Sequence, residues 1–87
     1  MDHIANIKKA LEDKKIIIGT ERALKALKKD RLRTIYITKN CPPQVSGDLT
    51  YYAKLAQVET VHLEQPNDEL GTLCRKPFSV SVVCVKA

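Results

Sequence analysis

The hydrophobic period of this chain switches repeatedly between about 3.6 residues and 2. No other feature restricts its fold as much. Residues 2–13, DHIANIKKALED, place Ile4, Ile7, Ala10 and Leu11 at helical spacing, with Asp2 positioned as an N-cap. Residues 16–18 are three isoleucines, β-branched and ended by Gly19, and read as a short strand. Residues 20–30 carry one apolar stripe of Ala23, Leu24, Ala26 and Leu27 and read as a helix. RTIYIT, residues 33–38, alternates as a second strand. NCPPQVSGD, residues 40–48, has the prolines and glycine of a turn. LTYYAKLAQ follows as a helix whose inner face is predicted to be Leu49, Tyr52, Ala53 and Ala56. VETVHLE, residues 58–64, is a third strand. QPNDELGTLC, residues 65–74, reads as a turn leading into a short helix, and Pro77 stops any helix reaching that far. SVSVVCV, residues 79–85, is the most strand-like segment of all. The order α-β-α-β-α-β-α-β predicts an α/β fold of three layers, one four-stranded sheet with helices on both faces, its strands mostly parallel.

The length permits one domain, residues 1–87. A chain of this size buries roughly 60% of its unfolded surface, so it folds alone with little margin. Its apolar content of 44% is that of a globular protein. No apolar run approaches the roughly 20 residues of a membrane span, and the first residues lack a signal-peptide core. A cytoplasmic protein without a membrane partner is the expectation. Cys41, Cys74 and Cys84 are an odd set with no C-x-x-C spacing, which predicts reduced thiols rather than a disulfide framework.

The charge is one-sided. Residues 1–39 hold eleven Lys and Arg against five Asp and Glu, a balance of +6, and residues 40–87 hold four against five, −1. A concentrated positive field suits a polyanion such as nucleic acid, and also suits a plain solvated surface.

No enzyme constellation is present. The G-x-S-x-G, G-x-G-x-x-G and P-loop patterns are missing. His62 lies in an alternating strand and reads as a sheet-surface residue. Three scattered cysteines with His62 lack the paired spacing of a zinc site. No catalytic residue, cofactor or metal is therefore expected.

Binding chemistry reads better. Gly19 joins a strand to a helix N-terminus, where free N–H groups attract anions, although a tight turn alone would also ask for glycine. Arg22, Lys25 and Lys29 share one face of that helix, which suits phosphates or base edges and equally a solvated face. In CRKPFSVS, residues 74–81, Arg75 and Lys76 precede Phe78, the one phenylalanine of the chain. An aromatic in a basic loop can stack on an unpaired base, or it can plug the end of the core.

NDELGTLCRKPFSVSVVCV, with KNCPP and LTYYAKLA, resembles the ribosomal protein L-thirty-e family, within the L-seven-Ae group of kink-turn RNA-binding proteins. The resemblance runs from about Ile4 to Val85, with the pieces in the family's order. It implies a mixed four-stranded sheet in an α/β/α sandwich. It also implies a site at the start of the second helix and two neighbouring loops, which grips a sharp RNA bend beside sheared G·A pairs and accepts one flipped base. By position, Gly19 matches the junction glycine. Thr20, Glu21, Arg22 and Lys25 match the residues facing the G·A pairs, and Asn40 and Asn67 match polar positions near the RNA. Phe78 and Val80 match apolar residues beside the flipped base, and Arg75 and Lys76 the basic turn. Two positions differ from the family's pattern. Glu21 puts a carboxylate where a basic residue is common, and Arg75 stands where glycine is usual, so a positive φ there would strain it.

The resemblance implies a non-catalytic protein of the large ribosomal subunit, partnered by kink-turn or other bent ribosomal RNA, located on the ribosome and monomeric when free. The alternatives are a diverged paralogue serving a guide RNA particle, ribonuclease P or a regulatory leader, or a protein-interaction module that has kept the fold.

Overall fold

The structure, a computed structural model, describes residues 3–29 and 31–87. The elements follow as α1 (His3–Glu12), β1 (Ile16–Ile18), α2 (Thr20–Lys29), β2 (Leu32–Ile37), α3 (Pro43–Leu55), β3 (Glu59–His62), α4 (Asn67–Leu73) and β4 (Val82–Lys86). The Asp2 cap lies outside the described residues.

One sheet orders the strands β1-β4-β2-β3. β1 and β2 both pair antiparallel with β4, and β2 pairs parallel with β3. β1, β2 and β3 therefore run the same way. β4 is reversed and inserted between β1 and β2, so the sheet is mixed, as the resemblance implies, and only one of its pairings is parallel where the order of elements alone predicts mostly parallel strands. The reason lies in α4. Its seven residues span about 10 Å and do not carry the chain back along the sheet. The chain turns back at the end of the sheet where β3 finished.

Both faces of the sheet carry helices. α2 and α3 pack on one face through Ala23, Ala26, Leu27, Leu49 and Ala53 against Ile35, Ile37, Val82 and Cys84. α1 and α4 supply Ile7, Leu70 and Cys74 to the other face, against Tyr36 and Val83. The central strand β4 is buried on both faces at Val82, Val83 and Cys84, which is why its sequence is a continuous apolar run rather than an alternation.

Helix α3 begins at Pro43, so most of the expected turn at 40–48 is helical. Pro43 at the first helical position is pre-set for helix and lacks an N–H that would have had no partner there. Ser46 N–H donates to Pro42 O at 2.9 Å. Of the predicted inner face, Leu49 and Ala53 are buried and Tyr52 half-buried, but Ala56 is exposed and forms the C-cap.

The three cysteines are free and buried. Loss of hydration raises the Cys84 thiol from 9.0 to about 12. An unfolded chain gives up this proton first, so the contribution to stability is complete below pH 9 and disappears as the pH rises towards 12. Between pH 8 and 10 the protein should lose about 1.4 kcal/mol more than a Cys84→Val variant. Urea titrations of both proteins at the two pH values measure the difference.

Candidate nucleic-acid interface

The topology gathers the predicted site at one end of the sheet. The last residues of β1, β2 and β3 and the first residues of β4 all lie there, because β4 alone is reversed. Backbone hydrogen bonds tie this end together. Gly19 N–H donates to Val82 O at 3.1 Å, Thr38 N–H to Ser81 O at 3.0 Å, and Val80 N–H to Asn67 O at 3.0 Å.

Gly19 has φ +110, and among the described residues nothing beyond its chain neighbours lies within 4 Å of where a Cβ would stand. The backbone conformation, not crowding, therefore calls for glycine here. Its carbonyl accepts the Ala23 N–H at 3.0 Å to start α2, and it has no side chain to cap the N–H groups that follow. Thr20 is half-buried. Glu21, Arg22, Lys25 and Lys29 are exposed, so the cationic face read from the sequence is presented to solvent. Lys28 instead lies over the Tyr52 ring, 5.0 Å from its centre, and helps join α2 to α3.

Asn40, after β2, and Asn67, the first residue of α4, are brought into direct contact across 27 residues of chain. Asn67 N–H donates to Asn40 Oδ1 at 2.8 Å, and Asn40 Nδ2 donates to Asn67 Oδ1 at 3.1 Å. Asn40 thus satisfies the first N–H of α4, as a cap from elsewhere in the chain. Both oxygens are engaged within the pair. One N–H of Asn40 and both of Asn67 are left over from it, so the pair offers donors outward.

Phe78 is 58% exposed, which removes the reading of it as a core plug. Val80, two residues on, is 3% exposed and belongs to the core beneath α1 and α4. Its side chain backs the loop from inside. Beside Phe78 lies a shallow hollow of about 290 Å³, walled by Asp68, Thr72, Lys76 and Pro77.

Arg75 and Lys76 stand at the far end of α4, about 10 Å along the helix from the Asn pair. Arg75 has φ 60, so the arginine holds a left-handed position. Its N–H donates to Thr72 O at 3.0 Å, and Lys76 N–H donates to Gly71 O at 2.9 Å. This is a Schellman cap, in which glycine is the usual residue. Arg75→Gly should raise stability by about 0.5–1 kcal/mol, the left-handed cost less the extra freedom glycine gains when unfolded. Thermal melts of both forms measure it.

Gly71 was not singled out from the sequence, and the structure packs it directly against the backbone of Phe78 and Ser79. A Cβ there would overlap the Phe78 carbonyl oxygen. A signal for it exists: glycine inside a helix costs about 1 kcal/mol against alanine, so its presence asks for a packing reason.

Residues 3–87 match the family described as Ribosomal protein L7Ae/L30e/S12e/Gadd45. The chain belongs to this family. It is 33% identical over 86 residues to the large ribosomal subunit protein eL30 of Methanosphaera stadtmanae, covering 99% of this chain and 88% of the relative. The protein of the same name from Trypanosoma brucei brucei is 30% identical over 79 residues, covering 91% and 75%. Among solved structures, the Giardia lamblia 15.5kD RNA binding protein superposes with a TM-score of 0.84 at 16% identity, covering all of this chain and 77% of that one. A Bacillus halodurans protein of unknown function superposes at 0.85 and 15% identity, covering 97% and 83%. At such identities the superpositions show the fold, the mixed α/β/α sandwich of the family.

Proposed function

We propose that this family member is a non-catalytic RNA-binding protein of the large ribosomal subunit that recognises a kink-turn or a similarly bent RNA. One observation carries the reading: Gly19 and the start of α2, the Asn40–Asn67 pair and the segment leading from Phe78 into β4 all come to one end of the sheet. Relatives named large ribosomal subunit protein eL30 support the ribosomal part, and the fold shared with an RNA binding protein supports RNA binding.

The chemistry follows from the parts. Gly19 lets the RNA backbone approach closely. The first N–H groups of α2 and the positive end of its dipole favour phosphate. Arg22 and Lys25 add salt-sensitive attraction and can donate to base edges. The Asn pair donates to RNA oxygens, and Phe78 stacks on a base turned out of the helix. The protein binds the bent conformer of an RNA that samples several and so shifts its population.

Titrating the protein into two labelled hairpins at near-physiological salt tests this. One carries a kink-turn; in the other its G·A pairs are replaced by Watson–Crick pairs. Tight binding to the first alone is expected. Equal, weak and salt-labile binding to both would reject recognition of the bend.

Glu21 faces solvent beside the cations of α2 and opposes the polyanion. Glu21→Lys should tighten binding to unstructured RNA and steepen its salt dependence by roughly 0.7 per added phosphate contact. Filter binding across a salt series reads this. Weaker hairpin binding would mean that the carboxylate accepts a hydrogen bond from a base.

A further inference from the structure

The face of the sheet under α1 and α4 is not fully covered, for a topological reason. α2 and α3 each connect the end of one strand to the start of the next and so run the length of the sheet. α4 connects the end of β3 to the start of β4, which lie at the same end. Its seven residues, about 10 Å, stay there, and α1 packs beside β1 and β4. The opposite end of this face, over the starts of β2 and β3, is left as a groove of about 530 Å³. That is within the range of ligand sites.

Four separate segments bring cations to this groove: Lys9 from α1, Lys15 from the turn before β1, Arg33 from β2 and Lys86 from β4. Lys86 N–H donates to Lys15 O at 2.8 Å, which fixes two of these segments together. Two carboxylates, Asp13 and Glu59, also line it. Glu59 is engaged by the buried Thr34 hydroxyl at 3.4 Å. On the sheet, Thr34 and Glu59 put polar side chains into the groove beside Tyr36 and Val85. His3 meets the Tyr36 ring edge-on at 5.8 Å along the floor.

We propose that this groove is a second RNA-contact surface, which holds a single-stranded phosphodiester segment and lets the protein join two RNA segments at opposite ends of its sheet. The inference rests on the reading of the protein as an RNA binder. It accounts for the part of the N-terminal basic excess, Lys9, Lys15 and Arg33, that the α2 interface leaves unused. Cations on the rim meet phosphates, while Thr34, Glu59 and Asn6 offer a donor and acceptors to ribose and base. The lining is more polar than apolar, and its cations outnumber its carboxylates by four to two.

The test is amide-resolved NMR of the labelled protein. A uridine hexamer is added to the free protein and to protein saturated with the kink-turn hairpin. Shifts at Lys15, Arg33 and Lys86 are expected in both cases, beyond those the hairpin causes near Gly19. In Lys9→Gln/Arg33→Gln the hexamer should bind several-fold more weakly, with a salt slope lower by about 1.4 for two lost contacts. Hairpin binding should be unchanged, which also shows the variant folded. No groove shifts with the hexamer would overturn the proposal. So would uridine monophosphate binding as tightly as the hexamer, which would make the occupant a free nucleotide. If the hairpin itself fails to bind, the kink-turn reading fails, and the hexamer titration of the free protein still reports on the groove.

Discussion

Gly71→Ala should lower stability by about 3 kcal/mol, the upper part of the usual cost of forcing a group into packed space. The new methyl group meets the Phe78 carbonyl, which is backbone and cannot rotate aside. Either α4 or the 75–80 loop must move. Movement of the loop strains the Val80 to Asn67 bond, and with it the Asn40–Asn67 pair. For an 87-residue domain the total stability is roughly 4–13 kcal/mol, so the loss is a large share. Gly47→Ala is the matching control. Gly47 lies inside α3 with nothing within 4 Å of the added carbon, so alanine there should raise stability by up to about 1 kcal/mol. Urea denaturation compares the two. If Gly71→Ala is as stable as the native protein, the tight approach of the loop to α4 is not as described.

Phe78→Ala should behave in the opposite way, leaving the fold intact and weakening hairpin binding by about 1–3 kcal/mol, the usual worth of one base stacked on an aromatic. An exposed side chain contributes little to the core, so the melting temperature should stay close to native. Binding to unstructured RNA should hardly change, because cations elsewhere on the protein supply that attraction. A joint fall in hairpin affinity and melting temperature would make Phe78 a packing residue and end its role as a stacking platform.

Parts of the site were legible because they rest on local chemistry. Gly19 stands between a β-branched run and an amphipathic helix, and a positive φ is what such a junction asks for. Arg22, Lys25 and Lys29 share a face because helical spacing puts them there. Other parts had a misleading local signal. Lys14, Gln57 and Arg75 all take φ near 60 without being glycine, and each sits just past the end of a helix, so the glycine that normally marks such a stop was missing. The prolines and glycine at 42–47 read as a turn, yet Pro43 starts a helix and Gly47 lies within it. Ala56 fits the apolar stripe of α3 but falls where the helix has already ended.

The sequence alone determined the order of elements and the placing of helices on both faces of the sheet. Each follows from side-chain periodicity and from helices long enough to cross the sheet. The tertiary structure decided where β4 goes. Insertion between β1 and β2 is a choice among pairings that look alike from a continuous apolar strand, because such a strand can be buried on either side. That choice brings Ser81 and Val82 between Gly19 and Thr38 and sets Asn40 against Asn67. It also leaves the cationic groove open at the other end. Contacts between residues far apart in the chain depend on how strands pair, and periodicity carries no record of the partner.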